Sequence, residues 1–183
     1  MALKSIIYKA DLQIADMDRN YYQEHALTLA RHPSETDERM MVRLVAFARY
    51  AHEALVFAKG LSDVEEPDLW QKDLTGAIQL WIEVGQPDEK RILKACGRAA
   101  QVVVISYASN SPIWWNGIGS RIERSKNLTV LNIPPETSRA LEKMAQRNMQ
   151  LQCTIQDGQI WLTAGDATVQ IDFQTLKAPD QGY

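Results

Sequence analysis

The stretch IQLWIEVGQPDEKRILKACGRAAQVVVISY, residues 78–107, decides the fold. In its opening residues Ile78, Leu80, Ile82 and Val84 alternate with Gln79, Trp81 and Glu83. Both sets are largely bulky, which suits a central strand covered on both faces. Gln86-Pro87-Asp88 breaks that strand and starts a helix that runs to about Ala99. Val102-Val103-Val104-Ile105 follows as the heart of a short buried strand over residues 101–107. Strand, helix, strand predicts a parallel pair joined by a right-handed crossover.

Toward the N-terminus, Ile6, Tyr8, Ala10, Leu12 and Ile14 alternate with Lys9, Asp11 and Gln13, the pattern of a strand with one wet face. A turn at residues 15–20 returns the chain into a second strand over about 21–30. His32-Pro33-Ser34 stops it, and Ser34 with Asp37 has the spacing of a capping box, so a helix is expected from Glu35 to roughly Glu53. Met41, Leu44, Val45, Ala48 and Ala51 form its apolar stripe. Residues 59–72 are polar and read as a loop or short helix. Beyond the deciding stretch, 109–127 reads as irregular and 128–133 as a strand, and Pro134-Pro135 opens a helix. Met149, Leu151, Cys153 and Ile155 alternate up to a hairpin turn at Asp157-Gly158. A last strand carries Val169, Ile171 and Phe173, and the tail beyond Lys177 reads as frayed. With no repeat, low-complexity tract or linker, the expectation is one α/β domain over 1–183, a curved mixed sheet with about three helices packed on it.

Composition narrows the function classes. At 183 residues, 45% hydrophobic and 23% charged, the chain can bury its own core. A net charge of −3 argues against nucleic-acid binding by bulk charge but leaves a local basic groove open. Cys96 and Cys153 lie in apolar patterns and read as buried thiols. Met1-Ala2-Leu3-Lys4 opens no apolar segment of signal-peptide length, and no run approaches a membrane span, so a cytoplasmic protein is expected.

Three acids draw attention. Glu38 lies on or beside the apolar stripe of the first long helix, where a carboxylate needs a partner, a metal or an edge to water. Glu83 comes late in the central strand and Asp73 just before it. Converging, Glu38, Asp73 and Glu83 would suit a hard cation such as Mg²⁺ or Mn²⁺. The plain alternatives make Glu38 a first-turn acid favouring the helix dipole, Asp73 a loop residue, and Glu83 the partner of Arg91 or Lys94. Arg91, Lys94 and Arg98 share a face of the helix after the strand, with Lys90 beside it; phosphate contact and a solvated basic face are both open to them. Asp16, Asp18 and Asn20 imitate the opening of a calcium loop, but Tyr21 and Leu27 occupy its glycine and glutamate positions. His25, His32 and His52 lack zinc-ligand spacing. Trp114-Trp115, followed by Arg121, Arg124 and Lys126, could stack bases, although core burial of an indole is the commoner outcome.

The stretches His32-Pro33-Ser34-Glu35-Thr36, Glu38-Arg39-Met40-Met41, Glu66-Pro67-Asp68-Leu69-Trp70, Leu80-Trp81-Ile82-Glu83-Val84-Gly85, Lys94-Ala95-Cys96 and Thr154-Ile155-Gln156-Asp157-Gly158 resemble the YaeQ family of small bacterial proteins. That resemblance covers nearly the whole chain and implies a variant of the restriction-endonuclease core, the PD-(D/E)XK fold. It makes Asp73 the first acid of the motif, with Asp68 of Pro67-Asp68 as its rival, Glu83 the second acid, and Glu38 the helix glutamate. The motif's lysine would fall at Gly85, a departure; Lys94, or Lys90, would then supply the catalytic cation. Two functions follow as expectations: metal-dependent phosphodiester hydrolysis of DNA or RNA by Asp73, Glu83 and Lys94, or non-catalytic binding of nucleic acid or protein on the same core.

Overall fold

The computed structural model describes residues 4–181. In chain order its first elements are β1 (Ile6–Asp16), β2 (Tyr21–Arg31), α1 (Asp37–Arg49), β3 (Leu55–Phe57), a single 3₁₀ turn at Gly60–Ser62, β4 (Leu69–Lys72), β5 (Ile78–Val84) and α2 (Glu89–Arg98). There follow β6 (Ala99–Ser106), α3 (Ser111–Ile122), β7 (Leu128–Asn132), α4 (Pro135–Glu142), β8 (Asn148–Gln156), β9 (Gln159–Ala164), β10 (Ala167–Ile171) and β11 (Gln174–Lys177). The α/β class holds. The strands fall into two mixed sheets where the sequence suggests one, with four α-helices, and the chain gathers into two compact units. Unit 1 takes the chain up to Arg49 and Glu136–Asp172; unit 2 takes Tyr50–Pro135 and the chain from Phe173.

Unit 1 carries the sheet ordered β10-β9-β8-β1-β2. β1 and β2 pair antiparallel over their full length, and β8 runs parallel to β1. The alternation in β1 is realised: Tyr8, Ala10, Leu12 and Ile14 are buried while Lys9, Asp11 and Gln13 face water. Asp18 accepts hydrogen bonds from the backbone N–H groups of Asp157 and Gly158, both 2.8 Å, and so ties the first turn to the tip of the β8–β9 hairpin. α1 starts two residues later than the sequence suggests. Thr36 Oγ1 caps it by accepting from Arg39 N at 3.1 Å, whereas Ser34 is engaged with His32. Glu35, left just outside the helix, receives both Nε (2.9 Å) and a terminal nitrogen (2.6 Å) of the buried Arg43, and Arg39 as well.

Unit 2 carries the sheet ordered β11-β7-β6-β5-β4-β3. β5, β6 and β7 are parallel, as the strand–helix–strand pattern requires. One face of these strands presents Trp81, Val102, Val104, Leu128 and Val130 to Ile92 and Ala95 of α2 and Ile122 of α3. The opposite face, with Ile82, Val84, Val103, Ile105 and Leu131, is buried too, which explains why both alternating sets of β5 are bulky. Each fully buried aliphatic side chain there stabilises by roughly 1.5–3 kcal/mol.

Two corrections concern unit 2. The segment expected to be irregular around Trp114-Trp115 is a helix, α3. Pro112 occupies its first turn, and Gly119 lets the Trp115 indole lie against the helix, 3.0 Å from where a Cβ would stand. Poor intrinsic propensity, with two tryptophans and two glycines, concealed a helix that packing on Val104 and Val130 supports. The polar stretch over 59–72 contains β4, whose Trp70 packs edge-on to Trp81, ring centroids 6.0 Å apart.

Candidate functional site

Glu83 lies on the face of β5 that α2 covers, and it is 4% exposed. Its Oε1 accepts from Trp81 Nε1 and from Arg91 Nε, each at 2.9 Å; neither bond uses Oε2. Beside it stands Asp68. The pairing of Leu69 with Ile82 sets Asp68 across from Glu83, with Asp68 N donating to Ile82 O at 3.1 Å. Asp68 is 2% exposed, and its Oδ2 accepts from Val84 N at 2.8 Å. The Pro67-Asp68 aspartate is therefore the acid that shares a site with Glu83. Burial pushes the Glu83 carboxyl above its usual range, the negative charge of Asp68 pushes it further, and Arg91 and Trp81 oppose both.

Gly60 closes the other side of Asp68. It adopts φ +51°, and a Cβ there would stand 2.6 Å from Asp68 Oδ1. Both the backbone angle and the contact demand glycine.

Asp73 is elsewhere. It ends the β4 side of the β4–β5 turn, at the far end of β5 from Glu83, roughly 17 Å away over the five residue steps from Ile78 to Glu83. It is exposed, and its carboxylate is occupied by Thr75 N (2.8 Å), Thr75 Oγ1 (2.6 Å), Ala77 N (3.0 Å) and Gln79 Nε2 (3.0 Å). These donors, the Thr75 hydroxyl foremost, hold it below its ordinary range. Asp73 is thus a turn-forming acid and not a neighbour of Glu83. Glu38 belongs to unit 1, where its Oε1 accepts from Ser138 Oγ at 2.7 Å. Among the described residues no three His, Cys, Asp or Glu side chains gather to hold a metal ion.

The basic face of α2 exists but is turned to internal use. Arg91 NH1 donates to Val64 O at 2.8 Å and NH2 to Glu66 O at 3.0 Å, so each guanidinium nitrogen has a partner. Lys94 Nζ holds both oxygens of the exposed Glu65, at 3.0 and 2.9 Å. Arg98 donates to Glu65 O at 2.9 Å and lies over the Trp81 ring. Together they strap residues 64–66 to the helix. Lys94, expected as the catalytic cation, is a strap residue. Gly85, at the motif's lysine position, has φ +112°, a conformation reserved for glycine.

The site was partly hidden from the sequence. A polar set closes the same end of the strands: buried Ser106 Oγ donates to buried Asn132 Oδ1 at 2.9 Å, and Asn132 Nδ2 to the exposed Gln174 Oε1 at 2.9 Å. These residues end β6, β7 and begin β11, and no motif marks them. Trp114 is committed to packing, its Nε1 donating to Pro87 O at 2.9 Å. The Asp16 carboxylate is taken by Arg19.

What the acid pair can hold follows from its donors. Mg²⁺ is commonly bound by one or two carboxylates together with water and substrate phosphate, and Asp68 with Glu83 supplies two hard oxygen donors side by side. Arg91 Nε is bonded to Glu83 of that pair at 2.9 Å. The residues fit a cation brought in with a phosphate better than a cage closed by protein alone.

Comparison with known proteins agrees in sequence and in fold. The family model described as YaeQ protein matches residues 1–173. The chain is 46% identical over 180 residues to "Uncharacterized protein YaeQ" of Salmonella typhi, and 45% to that of Escherichia coli (strain K12), in each case covering 98% of this chain and 99% of the relative. The crystal structure of the YaeQ protein from Xanthomonas axonopodis pv. citri superposes with a TM-score of 0.91 at 45% identity, over 96% of this chain and 99% of that one. That of Pseudomonas syringae gives 0.92 at 36% identity, over 95% and 97%. No helix among the described residues is long and apolar enough to cross a membrane. With the family model matched along nearly its whole length, the chain belongs to the YaeQ family.

Proposed function

We propose that this protein acts on nucleic acid through Asp68 and Glu83, which take up a divalent cation together with a phosphodiester and promote its hydrolysis. The supporting observation is the acid pair itself: two carboxylates, both nearly inaccessible, sit close enough that one raises the proton affinity of the other. Arg91 offsets part of the cost of that arrangement, and a divalent cation would offset more. The resemblance to the restriction-endonuclease core supports the same reading, with Asp68 as first acid and Glu83 as second.

The chain's own groups divide the work. Val84 N fixes Asp68, and Trp81 with Arg91 fixes Glu83, so both carboxylates are oriented before any ligand arrives. Mg²⁺ or Mn²⁺, when bound, supplies neutralisation of phosphate charge and a more acidic water. Arg91 carries a planar fork suited to phosphate oxygens, and it reaches them by exchanging the carbonyls of Val64 and Glu66. A second reading, binding without turnover, is favoured by Gly85 at the lysine position and by the Lys94–Glu65 pair.

Thermal melting tests the site. At a tenfold excess of ligand over its Kd, linkage gives about 1.4 kcal/mol, a rise of about 3–6 °C for a chain of this size. That rise is expected with millimolar Mg²⁺ and a short oligonucleotide together, and is expected to disappear in Asp68→Asn and Glu83→Gln. Melting curves that ignore metal and oligonucleotide alike would remove the proposal. Strand cleavage under the same conditions separates hydrolysis from binding.

A further inference from the structure

The outward face of the unit 1 sheet carries an ordered set of side chains that the acid pair does not use. The strand register arranges them in rows. One row runs Tyr22, Ala15, Thr154, Trp161 and Gln170 across β2, β1, β8, β9 and β10. The next runs Glu24, Gln13, Gln152, Thr163 and Thr168. Two aromatic rings therefore stand three strand spacings apart, ~14 Å, with small side chains between them. In that gap lies a groove of about 400 Å³, lined by Gln13, Ala15, Tyr22, Glu24, Gln152 and Thr154 among others. That volume falls within the roughly 300–1,000 Å³ usual for small-ligand sites.

The chemistry of the lining selects the ligand. The outward rows carry five carboxamides: Gln13 on β1, Asn148, Gln150 and Gln152 on β8, and Gln170 on β10, with Gln150 Nε2 already donating to Asp11 at 2.7 Å. Against them stand two carboxylates, Glu24 and Asp11, and one ammonium, Lys9. A phosphate polymer needs several cations, and this face opposes it with Glu24 and Asp11. A protein partner calls for an apolar core rich in aromatics, Met and Arg, which a row of glutamines does not provide. A carboxamide both donates and accepts, as does a sugar hydroxyl. Tyr22, 55% exposed, offers a ring face to the C–H side of a pyranose. We infer that this face binds a neutral oligosaccharide, laid from Tyr22 across Ala15 and Thr154 toward Trp161, with the carboxamides of β1 and β8 taking its hydroxyls.

The test is a titration of the isotope-labelled full chain with maltotriose, cellotriose and N,N′,N″-triacetylchitotriose, each to about 10 mM, enough to populate a site of millimolar affinity. A single-stranded oligonucleotide serves as the polyanion control. At least one sugar is expected to shift amide resonances of β1, β8 and β9. Tyr22→Ala and Gln152→Ala, both exposed positions that leave the core untouched, are expected to weaken it at least tenfold. Three sugars that shift nothing, shifts that both variants leave intact, or displacement of the bound sugar by the oligonucleotide would each overturn the inference.

Discussion

Replacing Arg91 with methionine keeps the aliphatic stem over α2 and removes the guanidinium from the acid pair. In the native protein that group bonds Glu83 and the carbonyls of Val64 and Glu66 at 2.8–3.0 Å. Removing one partner of a fully buried ion pair costs about 3–5 kcal/mol. The Arg91 side chain is 27% exposed against 6% for Glu83, so solvent screens part of that, and about 2–3 kcal/mol is the appropriate figure. The two lost carbonyl bonds, near the surface, bring the total to roughly 3 kcal/mol. For a chain of this length that is a fall in Tm of about 6–12 °C. The pH dependence carries the mechanism. Glu83 already holds its proton to higher pH in the folded than in the unfolded protein, so its contribution to stability declines as pH rises from the ordinary carboxylate range through the raised value. Without Arg91 the raised value moves higher still. The loss in Arg91→Met is therefore largest near neutral pH and shrinks as acid protonates Glu83. Urea unfolding followed by tryptophan fluorescence at about pH 7.5 and about pH 4.5 measures both. A loss below about 1 kcal/mol at the higher pH, or one that grows on acidification, would refute the acid-pair account.

Further predictions follow from the same geometry. Gly60→Ala forces a Cβ onto Asp68 Oδ1 at φ +51° and is expected to cost about 1–3 kcal/mol and to weaken any metal-linked rise in Tm; an unchanged unfolding midpoint would contradict this. Gly85→Lys, which writes the motif's lysine back into the sequence, meets open space but a φ of +112°, so it is expected to lower stability by about 1–3 kcal/mol without creating activity; a cleavage assay showing new turnover would show that the backbone tolerates it. Asp73→Ala is expected to loosen the β4–β5 turn yet leave any metal-linked Tm rise intact; loss of the rise would return Asp73 to the site.

Periodicity made the scaffold legible. Five alternating residues announced β1, and the Asp157-Gly158 dipeptide announced the β8–β9 hairpin because its turn needs positive φ, 52° at Asp157 and 75° at Gly158. The bulky double face of β5 announced a central strand, since both faces are in fact covered. What stayed hidden depended on partners distant in sequence. α3 has little amphipathic pattern and exists because Trp114 and Ile122 find cover on β6 and β7. For the site, Glu83 was legible as a polar residue in a buried strand, and its pairing with Arg91 was among the alternatives the sequence left open. Choosing Asp73 over Asp68 put proximity along the chain ahead of register. Asp73-Leu74-Thr75-Gly76 has the make-up of an aspartate-nucleated turn, and that signal outweighs nearness to β5. Ser106, Asn132 and Gln174 end or begin three separate strands, and only the assembled sheet brings them together.

The parallel joining of β1 to β8 has a consequence for synthesis. Between Asp16 and Asn148 the chain runs through Tyr50–Pro135, the larger part of unit 2, so the first hairpin leaves the ribosome long before its neighbour exists. At ordinary elongation speed the delay is on the order of ten seconds. Throughout it, one edge of β1 shows open backbone donors and acceptors beside the apolar row of Leu12 and Ile14. The nascent chain is therefore most exposed to mispairing during translation, and ribosome-associated holdases are where that vulnerability would be met.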